Sequence, residues 1–367
     1  MRPRKPPPAP PPVSAGEAAR RPTMKDVAAL AGVHQTTVSL ALRNHPGIPP
    51  ATRERIRRIA DEVGYRPDPV LDAFNLHRLA SHPLRSAPAI AFISDQPSQA
   101  ERDTPVAQKE LYLGARAMAE RMGFVLERFL VGPRQLSAAR LNHILLARNI
   151  ECVLVAACSL QTAELPLDWS RLCGLKVESF PLQPALDVIT TDHRQGCRRA
   201  VAELRALGYR RIGLALSDYD DRRLVNLARV GYLVERAADR AARAIDPFFL
   251  DTVAGGDLPR QLVAWVHRHR LDAIVSGANW IPDMLQGGAC AVPERLGFAS
   301  LDLTGQPASF AGVVPNHRLV GERAVELLAI RRYTYERGVP DHESITFVPV
   351  DWQPGPSAPG REAARQK

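Results

Sequence analysis

Residues 23–69 carry the pattern that most constrains this chain, three short helices separated by tight turns. Thr23 is a good N-cap for the first helix, whose apolar residues recur at helical spacing. Gly32 supplies the left-handed conformation that ends this helix and turns the chain sharply. The second helix spans about residues 35–42, and Pro50 suits the first turn of the third. Two helices joined by a short glycine turn form a helix-turn-helix, which places its second helix in the major groove of DNA.

The same spacing predicts which faces of these helices point inward and outward. The apolar residues predicted to face inward are Val27, Leu30, Ala31, Val38, Leu42, Ile56, Ile59, Ala60 and Val63. The outward face of the second helix carries small polar groups, and we expect base contacts from Gln35, Thr36, Ser39 and Leu40. A Gln side chain reads a base edge with two hydrogen bonds, whereas a Leu side chain contacts only a thymine methyl. The alternative is an ordinary three-helix subdomain with a solvated polar face.

This segment resembles the DNA-binding headpiece of the lactose-repressor and galactose-repressor family of bacterial regulators. The matching motifs are T-x-K-D-V-A-x-x-A-G-V (Thr23 to Val33), T-V-S (Thr37 to Ser39), T-R-E-R-I (Thr52 to Ile56) and G-Y-R-P (Gly64 to Pro67). A weaker resemblance extends to about residue 353. We expect DNA phosphates to be held by Thr23, Thr37, Thr52 and Tyr65. The sequence departs from the family pattern at Leu40, His34 and Asp68, where relatives commonly carry Arg, Ser and Asn.

A hinge helix is predicted after the headpiece. Asp68 and Pro69 form a strong N-cap and first-turn signal for a helix from Val70 to about Leu79. The resemblance implies that this helix folds when two copies meet on an operator and that an apolar side chain wedges into the minor groove. The matching position is Phe74, and such a wedge unstacks a base step and kinks the DNA. The alternative is that Phe74 and its apolar neighbours pack against the following domain.

Charge supports DNA as the partner. Residues 1–85 contain 14 lysines and arginines against 7 acidic residues, and therefore carry +7 of the chain's net +9. A localised positive patch is the footprint of phosphate neutralisation and predicts salt-dependent binding. Residues 1–22 are rich in proline and basic, which predicts a disordered arm. They have no apolar signal-peptide core, and no run in the sequence approaches membrane-spanning length.

From about residue 86 the sequence alternates strand and helix patterns, which predicts parallel sheets covered on both faces. The predicted buried strands are Ala89–Ile93, Phe124–Val131, Cys152–Ala157, Val188–Ile189, Ile212–Leu216, Ala273–Val275 and Phe298–Leu301. The predicted helices lie near 105–122, 135–148, 194–207, 222–243 and 258–269. The resemblance implies two α/β lobes with a ligand cleft between them, as in sugar-binding periplasmic receptors, and chain crossovers near 187–192, 303–312 and 337–343.

Polar residues that follow the predicted strands are the candidates for binding an effector in this cleft, because ligands of open α/β sheets lie beyond the carboxyl ends of strands. They are Asp192, Asn279, Trp280 and Asp302. Carboxylates accept hydroxyl protons and an indole covers the apolar side of a sugar ring. The alternatives are that Asp192 and Asp302 are helix caps and that Trp280 belongs to the core. Ala228, Ala107 and Gln108 stand where many relatives carry an Arg and an aromatic pair, so a non-sugar effector, or none, stays open.

The predicted fold class is α/β, with an all-α helix-turn-helix headpiece and a two-lobed, type I periplasmic-binding-protein-like domain. The predicted segments are a disordered basic arm (1–22), the headpiece (23–69), a hinge helix and linker (70–85), the effector-binding and dimerisation domain (86–353) and a disordered tail (354–367). The sequence contains no P-loop, G-x-S-x-G or H-E-x-x-H motif, and neither an enzyme nor a cofactor is expected. The five cysteines show no metal-ligand spacing and are read as buried free thiols in a reducing cytoplasm.

The predicted function is a transcriptional regulator, a repressor that binds a pseudo-palindromic operator as a homodimer and responds to a small molecule, expected to be a carbohydrate. The segment after Trp352 has no leucine heptads, so a dimer is expected without a C-terminal tetramerisation bundle. We expect a protein of the bacterial cytoplasm, associated with the nucleoid and not with a membrane. The alternatives are an architectural DNA-binding protein without an effector and a periplasmic solute receptor, which would have no use for residues 23–69.

Overall fold

The computed structural model describes residues 22–45, 47–65, 87–95, 106–132, 135–156, 158, 162–178, 180–238, 245–251, 257–286, 288 and 290–361. The chain divides into two units, residues 1–78 and residues 79–367. The predicted basic arm, except for Pro22, and the predicted hinge helix with Asp68 and Phe74 lie outside the described residues.

The first unit contains the three predicted headpiece helices, α1 (Met24–Ala31), α2 (Gln35–Leu42) and α3 (Pro50–Glu62). Gly32 adopts the predicted left-handed conformation, with a φ of 64°. The buried residues of this small core are Val27, Ala28, Ala31, Val38, Ala41, Ile56 and Ala60.

Leu30 was predicted to face inward, and that prediction is wrong because its side chain is 63% exposed. The buried stripe of α1 is centred between Val27, Ala28 and Ala31. At the helical rotation of roughly 100° per residue, Leu30 lies roughly a quarter of a turn away from that centre. On α2, Ala41 is buried where the sequence predicted Leu42, which is half-buried.

The second unit contains two six-stranded sheets, one in each lobe. The strands are β1 (Ala89–Ser94), β2 (Val125–Leu130), β3 (Cys152–Val155), β4 (Cys173–Val177), β5 (Val188–Thr191), β6 (Ile212–Leu216), β7 (Phe248–Phe249), β8 (Ala273–Ser276), β9 (Gly297–Ser300), β10 (Ala311–Val314), β11 (Ile345–Val348) and β12 (Asp351–Gln353). The sheet of the first lobe has the order β11-β5-β4-β3-β1-β2, and that of the second lobe has the order β12-β10-β9-β8-β6-β7. The pairing of β12 with β10 is antiparallel, and the other strand pairs are parallel.

Helices cover both faces of each sheet, as the alternating pattern predicts. They are α4 (Val106–Arg121), α5 (Ala138–Ala147), α6 (His193–Ala206), α7 (Asp218–Arg223), α8 (Leu227–Ala238), α9 (Leu258–His269), α10 (Ile281–Met284) and α11 (His317–Thr334). In the first lobe, α4 and α11 pack on one face of the sheet and α5 on the other. In the second lobe, α6 packs on one face with Tyr232 of α8, and α9 and α10 pack on the other.

The chain crosses between the lobes three times, and two of these crossovers differ from the prediction. The first lies at Asp192, within the predicted range. The second lies at residues 315–316, between β10 of the second lobe and α11 of the first, and the third lies at residues 349–350. The ranges 303–312 and 337–343, which the resemblance implied, lie too early in the chain, because β10 and β11 each continue the lobe in which the chain already lies. The Asn316 side-chain amide donates to the Pro349 carbonyl at 3.0 Å and ties the last two crossovers together.

Two further sequence predictions about the second unit are corrected. The predicted strand Phe124–Val131 is an edge strand of the sheet, and most of its side chains are exposed or half-buried. The predicted disordered tail from residue 354 is wrong for residues 354–361, which pack on the second lobe. There the buried Ser357 hydroxyl accepts from the Ala311 N–H and donates to the Phe298 carbonyl, and Arg361 lies 2.8 Å from the Asp272 carboxylate.

The five cysteines are buried and free, as predicted. None of the helices in the described part of the chain combines the length and the apolar composition that a membrane span requires. Within those same residues, no group of three or more potential metal ligands is brought together.

Candidate functional site

The exposed face of α2 carries the residues predicted to read DNA bases. Gln35 and Thr36 are exposed, and Ser39 and Leu40 are half-buried. The helix begins after His34, whose ring nitrogen Nδ1 lies 2.9 Å from the Thr36 hydroxyl oxygen and accepts from the Thr36 N–H at 3.4 Å. His34 therefore supplies the capping function that relatives commonly obtain from Ser.

Thr23, the N-cap of α1, is hydrogen-bonded to Asp26 in the first turn of that helix. Its backbone N–H and its hydroxyl both donate to the Asp26 carboxylate, each at 2.7 Å. A phosphate oxygen only accepts hydrogen bonds, so the Thr23 hydroxyl would have to leave Asp26 in order to donate to DNA. The other residues predicted to hold phosphates, Thr37, Thr52 and Tyr65, are half-buried.

Two arginines of α3 hold the turn between α2 and α3. Arg53 donates to the Asn44 carbonyl at 3.2 Å, and Arg57 donates to the Asn44 side-chain oxygen. Asn44 has a φ of 62°, a left-handed conformation that Asn tolerates better than most residues. These arginines therefore stabilise the turn that follows α2, while Lys25 and Arg55 are exposed cations of the headpiece.

The second candidate site is a cavity of about 650 Å³ between the two lobes. Most of its polar lining follows the carboxyl ends of strands, as expected for an open α/β sheet. The charged and hydrogen-bonding residues that line it are Gln108, Glu178, Thr191, His193, Ser217, Tyr219, Asp220, Asp221, Arg223, Asp251, Trp280, Asp302 and His317.

The structure brings two of the four predicted effector residues to this cavity. Trp280 lies at its rim and is 46% exposed, so it is not a core residue. Asp302 lines the cavity directly after β9. Asp192 does not line it, and its carboxylate instead caps α6 by accepting from the Gln195 N–H at 2.9 Å. Asn279 acts behind the lining, because its amide donates to the Asp302 carbonyl at 2.9 Å.

Asp302 is paired with a histidine that the sequence reasoning missed. The His317 Nε2 lies 3.3 Å from Asp302 Oδ2, and the Thr304 N–H donates to Asp302 Oδ1 at 2.7 Å. Burial alone would raise the pKa of Asp302, but the hydrogen bond and charge of His317, together with Thr304, lower it. Burial likewise favours a lower pKa for His317, and the carboxylates of Asp302, Glu178 and Glu110 raise it.

A second histidine–carboxylate pair lies at the same cavity. The His193 Nε2 is 3.1 Å from Glu178 Oε2, to which the Thr190 hydroxyl also donates at 3.2 Å. Burial of Glu178 opposes ionisation, but His193, with His317 and Arg223 nearby, lowers its pKa to about 2. Glu178 also has a φ of 71°, which is strained for a residue with a side chain and is typical of functional sites.

Two buried groups at the cavity have hydrogen-bonding capacity left over among the described residues. The Thr191 hydroxyl and both carboxylate oxygens of Asp221 make no hydrogen bond, although Asp221 Oδ2 lies 3.0 Å from Arg229 Nε. Burial raises the pKa of Asp221 against the effect of Arg229. Buried polar groups are usually satisfied, so Thr191 and Asp221 mark positions where a ligand would be stabilised.

Residues 23–68 match the family model described as "Bacterial regulatory proteins, lacI family". This match shows that the helix-turn-helix segment is similar to the headpiece of lacI-family regulators.

Curated relatives of the lacI-family headpiece are transcriptional regulators. The regulator CelR of Thermobifida fusca is 48% identical over 52 residues, and the repressor CytR of Escherichia coli K12 is 52% identical over 48 residues, which cover 14% and 13% of this chain. The regulator reg1 of Streptomyces lividans is 28% identical over 199 residues, 53% of each protein. The chain therefore spans about half of reg1, and 15% of CelR and 14% of CytR.

Solved structures show the same fold over nearly the whole chain. The CelR–cellobiose complex has a TM-score of 0.56 at 20% identity and covers 92% of this chain and 100% of its own. The lac repressor dimer bound to operator and an anti-inducer has a TM-score of 0.51 at 18% identity, with coverage of 93% and 100%. The predicted fold class is confirmed, with a helix-turn-helix headpiece and a type I periplasmic-binding-protein-like domain.

Three positions that depart from the common lacI-family pattern lie together at the cavity. Ala107, Gln108 and Ala228 all line it. Ala228 leaves the wall of α8 without the guanidinium that many relatives present there. Arg223 of α7 is the arginine that lines this cavity among the described residues, and its Nε lies 3.5 Å from Asp220.

The missed cavity residues have identifiable causes. Glu178 follows β4, a strand that was not predicted because Lys176 interrupts its apolar run. His193 and His317 are the first residues of α6 and α11, and the second of these helices was not predicted. Glu178 and His317 adjoin elements that the sequence pattern did not predict, so neither residue followed the end of a predicted strand.

Proposed function

We propose that this chain is a member of the lacI family and a sequence-specific DNA-binding transcriptional regulator, a repressor that binds a pseudo-palindromic operator as a homodimer. The observation that carries the proposal is the exposed polar face of α2 in a helix-turn-helix that matches the family over residues 23–68. The curated relatives matched there are regulators, so we propose a binding protein and not an enzyme. We expect it to act in the bacterial cytoplasm, associated with the nucleoid.

In this proposal the predicted DNA-contacting residues bind either base edges or phosphates of the operator. Gln35, Thr36, Ser39 and Leu40 face base edges, where Leu40 favours a thymine methyl over guanine. Thr37, Thr52 and Tyr65 hold phosphates, and Thr23 contributes through the N-terminus of α1, since its hydroxyl is bound to Asp26. Phe74 is proposed as the minor-groove wedge.

A genomic selection tests this proposal. Fragments bound by the full chain are sequenced and then measured by gel shift in the presence of random competitor DNA. Gln35→Ala should weaken binding to a selected site by about 1–3 kcal/mol, because alanine cannot form the two hydrogen bonds to a base edge, while binding to random DNA changes little. Leu30→Ala is a matched control, as Leu30 is an exposed residue on the neighbouring helix. A full chain that prefers no fragment over random competitor would refute sequence-specific binding.

We further propose that a small molecule of the carbohydrate class binds in the cavity between the lobes and alters DNA affinity. The exposed indole of Trp280 and the acceptors around Asp302 suit a polyhydroxylated ring, and the solved CelR relative is a complex with cellobiose. The family's effector arginine is replaced by Ala228, so the ligand need not be cellobiose.

Thermal-shift screening of the full chain against sugars and nucleosides tests the cavity. A bound compound stabilises the folded protein in proportion to the logarithm of its concentration above Kd, about 2.7 kcal/mol at one hundred times Kd. Asp302→Ala should abolish that gain, and the exposed Asp341→Ala should preserve it. A compound that stabilises both variants equally would exclude Asp302 from its site. If no compound stabilises the protein, the alternative of a DNA-binding regulator without a small-molecule effector is favoured.

A further inference from the structure

Each histidine–carboxylate pair joins the two lobes, and the lobe that supplies the histidine differs between the two pairs. His193 is the first residue of α6, which packs on the sheet of the second lobe, and its partner Glu178 follows β4 of the first lobe. His317 is the first residue of α11, which packs on the first lobe, and its partner Asp302 follows β9 of the second lobe. Each pair therefore bridges the boundary between the lobes.

Both pairs lie beside chain crossovers. His193 directly follows the first crossover, at Asp192, and His317 directly follows the second, at residues 315–316. Any rotation of one lobe relative to the other must change the backbone at these points, because three segments of the described chain connect the lobes. A change in either pair therefore acts where the domain bends.

The pairs are buried enough for charge to matter. The side chains of His317, Glu178 and His193 are 7%, 10% and 16% exposed, and that of Asp302 is half-buried at 37%. At such positions a unit charge interacts several times more strongly than it does in water. Surface ion pairs, in contrast, contribute little because solvent screens them.

The surrounding groups favour the protonated form of His317. His317 faces the carboxylates of Asp302, Glu178 and Glu110, and these raise its pKa above the ordinary value near 6.5 even though burial opposes them. Glu178 faces His193, His317 and the Arg223 guanidinium, and it remains ionised throughout the neutral range. The Glu178 and Asp302 carboxylates thus keep their charge, and in the Asp302–His317 pair the histidine is the member that titrates.

We propose that Glu178–His193 and Asp302–His317 are two proton-dependent latches that hold the lobes in the arrangement described here. With the histidines protonated, each pair is an ion pair across the lobe boundary. When the histidines lose their protons, the buried Glu178 and the half-buried Asp302 stay charged without those cations, and lobe separation exposes them further to water. The latch is present below the ordinary histidine pKa and is lost as pH rises through the raised pKa of His317. The inference does not depend on DNA binding or on a ligand.

The test is made on the full chain by small-angle scattering and histidine NMR. The radius of gyration of the wild type should increase between about pH 6 and about pH 9, the interval that spans histidine titration. His193→Gln combined with His317→Gln keeps a hydrogen-bond donor at each position but removes the charge. This double variant should show the larger radius at both pH values and no transition. His143→Gln, at an exposed site on α5, should behave as the wild type.

Several results would overturn the proposal. A wild-type radius that does not change over this interval refutes the latches, and so does a double variant that keeps the wild-type transition. The NMR titration gives a measurement on wild-type protein, so the test holds even if the double variant fails to fold. A His317 pKa at or below that of the exposed His143 would remove the physical basis of the latch.

Discussion

Lys176 is a buried cation in the middle of a strand. It is 4% exposed, lies in β4 and donates from Nζ to the Phe180 carbonyl at 2.8 Å. Burial lowers the pKa of Lys176, so the folded protein holds this proton less tightly than the unfolded chain. Linkage then requires that stability rises with pH between the lowered folded value and the unfolded value near 10.5.

Lys176→Met should remove this part of the pH dependence, because methionine carries no titrating group. Denaturant unfolding at about pH 8 and about pH 10 measures it as the change in free energy of unfolding between the two conditions. The change should be less favourable in the variant than in the wild type, whereas the exposed Lys109→Met should leave it unaltered. Equal changes in all three proteins would show that Lys176 titrates normally in the folded state.

Individual residues also show where sequence patterns lose information. The apolar run of β4 contains Lys176, whose ammonium donates to the Phe180 carbonyl four residues further along, and a buried charge with such a partner cannot be recognised from hydrophobic periodicity. Thr23 was correctly placed at the start of α1, but its hydrogen bond to Asp26 depends on side-chain geometry that the motif does not encode. Asp192 follows a strand and precedes a helix, a position that suits both a helix cap and a ligand-binding carboxylate. The sequence pattern does not distinguish these roles, and the structure shows the cap.

At the scale of helices and strands, the approach of α6 and α8 depends on Gly231. A Cβ atom at this position would lie 2.3 Å from the Arg194 carbonyl oxygen, a distance that requires the two helices to separate. Gly231→Ala should therefore destabilise the second lobe by about 1–3 kcal/mol, the usual cost of overpacking.

Gly277→Ala provides the matched control for this prediction, because a Cβ atom there would meet no atom within 4 Å. Chemical denaturation of the two variants beside the wild type measures the difference in unfolding free energy. A Gly231→Ala protein as stable as Gly277→Ala would mean that α6 and α8 have room to move apart at no cost.

The elements that were predicted and those that were missed differ in physical character. The central strands β1, β3, β6, β8 and β9 were predicted from the sequence because both of their faces are buried, which makes nearly every residue apolar. The edge strands β11 and β12 expose many side chains and were missed, whereas the edge strand β2 was predicted but wrongly expected to be buried. The long helix α11 has apolar residues on several sides, since it packs on both the sheet and α4, so its pattern is not that of an amphipathic surface helix.

For the molecule as a whole, positive charge is concentrated in the N-terminal part of the chain. Residues 1–85 account for +7 of the net +9, and residues 1–22 alone carry five lysines and arginines against one glutamate. In the headpiece, Arg53 and Arg57 already donate to Asn44. The N-terminal segment is therefore expected to supply a substantial share of the cations that neutralise phosphates.

The contribution of the N-terminal segment to phosphate neutralisation is tested by replacing Arg2, Arg4, Lys5, Arg20 and Arg21 with glutamine. Every phosphate that is no longer neutralised should reduce the slope of log Kd against log salt by about 0.9, so the slope should fall by up to about 4 to 5. The affinity for a selected site and for random DNA should fall by similar factors, because phosphate contacts carry no sequence information. Gln35→Ala is the complementary variant, expected to lose discrimination between the two DNAs and to keep the salt slope. If the five substitutions instead reduced discrimination and left the slope unchanged, the N-terminal segment would be reading bases and not neutralising the backbone.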